Sequence, residues 1–157
     1  MTWSNQGGKM QNKANSPSLD HDYVLDSYAL LAYLEAEAGS NRVSQLLEMA
    51  EKGRCHLYMC IVNLGEVLYI VERERGLSRA TEILARVDEL PIEIVDVDRT
   101  LTLMAAHFKA GCPIAYADCF AAALAMIRGI PLVTGDPEFH KIKADSNLSI
   151  EWLVKTG

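Results

Sequence analysis

Apolar positions in this chain fall into short solid blocks separated by stretches with a helical period. Tyr23-Val24-Leu25 is a bulky run suited to a buried strand. It stops on a carboxylate, Asp26. From Ser27 the spacing changes, with apolar residues at 30, 31 and 34 and Ala at 29 and 32, as a helix requires. Ser40 then stands as the N-cap of a second helix with Val43, Leu46, Leu47 and Ala50 inside, and Gly53 ends it. Cys55 to Val62 is nearly all apolar, the pattern of a parallel strand covered on both faces. Asn63 opens a third helix with Val67, Leu68, Ile70 and Val71 inside, stopped by Gly76. Ser78 caps a fourth, with Ile83, Leu84 and Val87 inside.

Ile92 to Val97 alternates apolar and acidic residues, as a half-exposed edge strand does. Asp98 caps a fifth helix through Lys109, and Gly111 and Pro113 are stop signals. The loop Cys112 to Ala117 leads into an Ala-rich helix from Asp118 to Arg128. Ile130 to Thr134 predicts a fourth strand, Asp136-Pro137 a last helical turn, and Ser149 to Val154 a fifth, terminal strand. Strands alternating with helices imply an α/β fold: an α/β/α sandwich around a central, mainly parallel sheet of about four to five strands.

Composition narrows this picture. Residues 1–20 are rich in Asn, Ser, Gln, Gly and Lys and hold too few apolar groups to fold. They are expected to form a disordered tail ahead of one domain over residues 21–157. Half of the 157 residues are hydrophobic and mean hydropathy is near zero, with no apolar run near the ~20 residues that span a bilayer. The N-terminus lacks the apolar core of a secretory signal. A cytoplasmic protein with no membrane partner is the expectation. Cys55, Cys60, Cys112 and Cys119 form no C-x-x-C pair and lie in or beside apolar segments, as reduced core thiols do. A zinc site from Cys55, His56 and Cys60 has poor ligand spacing for a strand. The net charge of −6 excludes a simple basic coat for nucleic acid. An acidic chain still acts on nucleic acid when its acids hold metal ions.

Four acids stand out: Asp26, Glu66, Asp118 and Asp136. Each has a plain structural reading. Asp26 and Asp136 suit N-caps, the latter with Pro at N1. Asn63 and Glu66 have the spacing of a capping box. Asp118 suits a first-turn acid at the positive end of a helix. As a set they suggest more. Asp26 and Asp136 follow apolar strands and should share one rim of a parallel sheet. Asp118 is flanked by Ala115, Ala117, Ala121, Ala122 and Ala125, small residues that permit close approach. Carboxylates sharing a pocket need a counter-charge, and a hard divalent cation supplies it.

Leu25-Asp26-Ser27-Tyr28-Ala29-Leu30-Leu31, Asn63-Leu64-Gly65-Glu66, Tyr116 to Ala125, and Val133-Thr134-Gly135-Asp136-Pro137-Glu138-Phe139 resemble the four signature segments of PIN domains. Across roughly residues 22–154 the resemblance is closest to the VapC-type toxins of toxin–antitoxin pairs. It implies a PIN-like fold and a metal-dependent endoribonuclease. Asp26, Glu66, Asp118 and Asp136 would surround Mg²⁺ or Mn²⁺. Ser27 and Thr134 would orient carboxylate or water beside them. RNA as substrate, a cognate antitoxin and a homodimer are implied with it.

Other residues are weaker candidates. His107 and His140 have no convincing partner as general bases. Lys141 and Lys143, or Arg42, Arg54, Arg73, Arg75 and Arg79, are candidates for a basic rim, though solvated charges are the simpler account. Two rival functions stay open. A haloacid-dehalogenase-type phosphatase also begins on a strand-ending Asp, but it needs a second Asp where Tyr28 stands. A PIN-like module without catalysis would show lost acids, and all four are present. No G-x-G-x-x-G or P-loop pattern appears.

Overall fold

The computed structural model describes residues 22–142 and 146–153. The predicted tail, residues 1–20, lies outside them, as does Lys143. Strands β1 (Tyr23–Leu25), β2 (Leu57–Cys60), β3 (Ile92–Val95), β4 (Leu132–Thr134) and β5 (Ile150–Trp152) form one sheet in the order β3-β2-β1-β4-β5. Every neighbouring pair is parallel. Helices α1 (Ser27–Leu34), α2 (Ser40–Glu51), α3 (Ile61–Arg75), α4 (Leu77–Asp88), α5 (Arg99–Gly111) and α6 (Tyr116–Arg128) connect them, with a 3-10 turn at Pro137–Lys141 between β4 and β5.

Strand alternation sorts the side chains into two cores. Tyr23, Leu25, Leu57, Met59 and Val133 pack with residues of α1 to α4. Val24, Cys60 and Leu132 pack with α5 and the alanine-rich face of α6. Burial on both faces is why these strands read as solid apolar blocks. The edge strands β3 and β5 are not fully buried, and β3 keeps Glu93 exposed, as its alternating pattern predicts.

Several boundaries differ from expectation. The apolar run Cys55–Val62 hides a junction, because β2 ends at Cys60 and Ile61-Val62 already belong to α3. Asn63 therefore lies inside α3 and does not open it. Ser40 is the first residue of α2, whose cap is Gly39 in the left-handed conformation at φ 93°. Gly76, at φ 90°, separates α3 from α4 and takes the cap position expected of Ser78. Within α4, Ala80 is buried and Leu84 is exposed. No single helix among the described residues is long and apolar enough to cross a membrane.

The chain runs from β1 out to β2 and β3, then crosses back to β4 and β5 on the other side of β1. Strand order reverses between β1 and β4. A crevice opens at the carboxyl ends of such a pair, where open α/β sheets place their ligands.

Candidate active site

Asp26 follows β1 and Thr134 ends β4, so the reversal brings them together. Alternation turns both away from the layer of Leu25 and Val133, toward the one that holds α6. The Thr134 hydroxyl donates to Asp26 Oδ2. The Ala29 N–H donates to Asp26 Oδ1 at 2.8 Å, so Asp26 is also the N-cap of α1. It is only 1% exposed. Thr134 Oγ1 accepts from the Asp136 N–H at 3.0 Å. Asp136 caps the 3-10 turn, its Oδ1 accepting from the Glu138 N–H at 2.9 Å. One hydroxyl thus links the first acid to the last.

Asp118 lies in the first turn of α6 and is buried. Its carboxylate accepts no hydrogen bond among the described residues. Glu66 is partly exposed and stands more than a turn inside α3. That position rules out the capping box with Asn63, since the helix begins at Ile61. Ser27, expected beside the carboxylates, turns its hydroxyl to the Asn63 carbonyl at 3.1 Å.

Burial pushes the Asp26 carboxyl up to about 7; the Thr134 and Ala29 hydrogen bonds oppose that rise, and the charges of Asp118 and Asp136 add to it. Asp118 is also raised to about 7, first by burial and then by Asp136, Glu66 and Glu138. The four predicted acids therefore lie within one another's fields, with Glu66 joined to the set through Asp118. Glu138 is a fifth acid that sequence reasoning missed. Its place two residues after Asp136, across one tight turn, was the available signal.

Among the described residues, no Lys, Arg or His forms an ion pair with Asp26, Glu66, Asp118 or Asp136. Nor do any three His, Cys, Asp or Glu side chains there stand close enough to enclose one metal ion. The donor chemistry nonetheless fits a hard divalent cation: oxygen atoms only, excess negative charge, and two aspartates whose ionisation their surroundings oppose.

The weaker candidates find ordinary roles. Arg42 pairs with Glu151 at 2.7 Å, Arg75 with Glu35 at 3.6 Å, Arg79 with Glu82 at 3.0 Å and Lys141 with Glu138 at 2.8 Å. Arg73 lies over the Tyr69 ring. Arg54 and His107 are exposed. His140 stacks on Trp152 with ring centroids 4.1 Å apart. All four cysteines are buried free thiols, and burial raises the pKa of Cys60 and lifts Cys119 to about 11. Thiols held protonated in this way are core residues and poor zinc ligands.

The fold recurs in solved structures. A VapBC2 complex from Rickettsia felis bound to a DNA fragment from its promoter superposes with a TM-score of 0.66 at 20% identity, covering 82% of this chain and 96% of that one. A DNA-bound VapBC from Salmonella typhimurium gives 0.66 at 18% identity, covering 85% and 99%. VapC20 of Mycobacterium tuberculosis, a Sarcin-Ricin loop cleaving toxin, gives 0.57 at 14% identity, covering 79% and 92%. At these identities the likeness shows the fold alone. No curated protein sequence matches the chain. The PIN domain family model matches residues 23–145. That span contains β1 to β4, all six helices and all four candidate acids, and the chain belongs to the PIN domain family.

Proposed function

We propose that this chain is a metal-dependent endoribonuclease and the toxin of a type II toxin–antitoxin pair. The observation that carries this reading is the pair Asp26 and Asp118: two buried aspartates, mutually repelling and without a cationic partner among the described residues, at the strand-order reversal of a PIN fold. Asp26, Glu66, Asp118 and Asp136 would hold Mg²⁺ or Mn²⁺. The ion, when bound, would supply a water of lowered pKa and neutralise charge on a phosphodiester. The chain's own groups prepare the site. Thr134 fixes the direction of Asp26, the α1 amide holds its other oxygen, and the 3-10 turn fixes Asp136. RNA as substrate is favoured by the likeness to a toxin that cleaves the Sarcin-Ricin loop.

An antitoxin partner is supported by the likeness to VapBC complexes and by the cluster of acids, which is complementary to an inserted Arg or Lys. A homodimer and a cytoplasmic location belong to the same proposal. The test is cleavage of RNA and of DNA of matched sequence by the purified chain in Mg²⁺, in Mn²⁺ and in EDTA. RNA cleavage only with metal is expected. Full activity in EDTA would overturn the metal-dependent reading, and equal cleavage of DNA would overturn the ribonuclease.

A further inference from the structure

Asn63 is fully buried in the first turns of α3, between the helices that carry the candidate acids. Its Nδ2 donates to the Ala117 carbonyl at 3.0 Å, and Ala117 immediately precedes Asp118. The same nitrogen faces Ser27 Oγ at 3.5 Å, beside Asp26. The Ser27 hydroxyl spends its own proton on the Asn63 backbone carbonyl at 3.1 Å. These directions fix the amide, because turning it over would set its oxygen against the Ala117 carbonyl. Asn63 Oδ1 is buried and has no donor among the described residues. A buried amide that forgoes one hydrogen bond to hold a given orientation is an unfavourable choice for packing alone.

We infer that Asn63 is a positioning residue that sets the spacing of α1, α3 and α6 where they carry Asp26, Glu66 and Asp118. One side chain on α3 grips α6 beside Asp118 and α1 beside Asp26, while Glu66 lies one turn further along the same helix. A shift of α6 against α3 would move Asp118 relative to the other two acids. The four acids repel one another, so these helices need a tie that is not itself charged. A neutral amide with two donors supplies it at the point where α1, α3 and α6 meet. This role rests on the metal-binding reading of the acids.

The test is the affinity for Mn²⁺, read from the electron paramagnetic resonance of the free ion, alongside melting temperature and cleavage against Mn²⁺ concentration. Asn63→Leu keeps the number and branching of the side-chain heavy atoms and removes both donors. Its Mn²⁺ affinity should fall by roughly 10- to 100-fold, the range seen when groups supporting metal ligands are removed. Its cleavage should recover in part as Mn²⁺ is raised, which a merely structural lesion would not allow. Ser27→Ala removes one half of the tie with little risk to folding, should be weakened in the same direction but less, and decides the matter if Asn63→Leu does not fold. Unchanged Mn²⁺ affinity in Ser27→Ala and in folded Asn63→Leu, with a parent that binds normally, would overturn the positioning role alone. A parent that binds no Mn²⁺ would overturn the metal site and this inference with it.

Discussion

At Asp26 one carboxylate does two jobs, and a single substitution separates them. Its Oδ1 caps α1 through the Ala29 N–H, and its Oδ2 takes the Thr134 hydroxyl. Asn caps a helix about as well as Asp. In Asp26→Asn the Thr134 hydroxyl can turn to accept from the new amide, so the cap and the link both survive. The substitution removes one of the repelling charges. Asp26→Asn should therefore melt at the same or a higher temperature near neutral pH while losing cleavage by orders of magnitude. Near-parental ribonuclease activity would leave Asp26 as a cap only. The same residues predict a pH effect. Asp26 and Asp118 stand near 7 in the folded chain, against an unfolded value of about 3.9. Folding of the metal-free protein then takes up protons between roughly pH 4 and 7, and stability falls as pH rises through that window. In EDTA the melting temperature should be higher near pH 5.5 than near pH 7.5. Mn²⁺ should reverse the order by binding the ionised acids. A metal-free melting temperature that rises over this range would count against two carboxyls being raised together.

Among the elements, the exit of β4 has the least tolerance. A Cβ on Gly135 would run into the Tyr28 ring, so the first turn of α1 sits directly on the chain between Thr134 and Asp136. A side chain there is admitted only if the Tyr28 ring moves, and the glycine's backbone conformation is ordinary. Gly135→Ala should destabilise by about 1–3 kcal/mol, as overpacking does. The same change in a Tyr28→Ala background should have almost no effect, so the two substitutions form a coupled cycle. Equal losses in both backgrounds would show that the ring is not the obstacle. The element scale also shows where local pattern misleads. Ile61 and Val62 continue the apolar run of β2, yet they begin α3, and this turned Asn63 from an apparent helix opener into a buried tie. Ser40 and Ser78 have cap chemistry, but Gly39 and Gly76 take the caps because the chain needs positive φ at those corners.

For the whole molecule, the two cores of the described residues close on each other through one sheet, and the composition of residues 1–20 predicts a tail that takes no part in them. Deleting residues 1–20 should leave melting temperature and cleavage unchanged, as thermal unfolding and the RNA assay would show. A large drop in either would mean that the segment docks. Pattern alone gave the α/β class, a sheet of about four to five strands and six helices, and it singled out four acids as candidates, because burial on both faces writes solid apolar blocks and helices write their period. Only the tertiary structure decided which strands are neighbours. The reversal between β1 and β4 sets Thr134 against Asp26, and α6 then adds Asp118 from the other layer. The Thr134–Asp26 contact joins residues 108 positions apart, and no local pattern records it. The roles of Asn63 and Gly135 are invisible in sequence for the same reason: each is defined by what another element places against it.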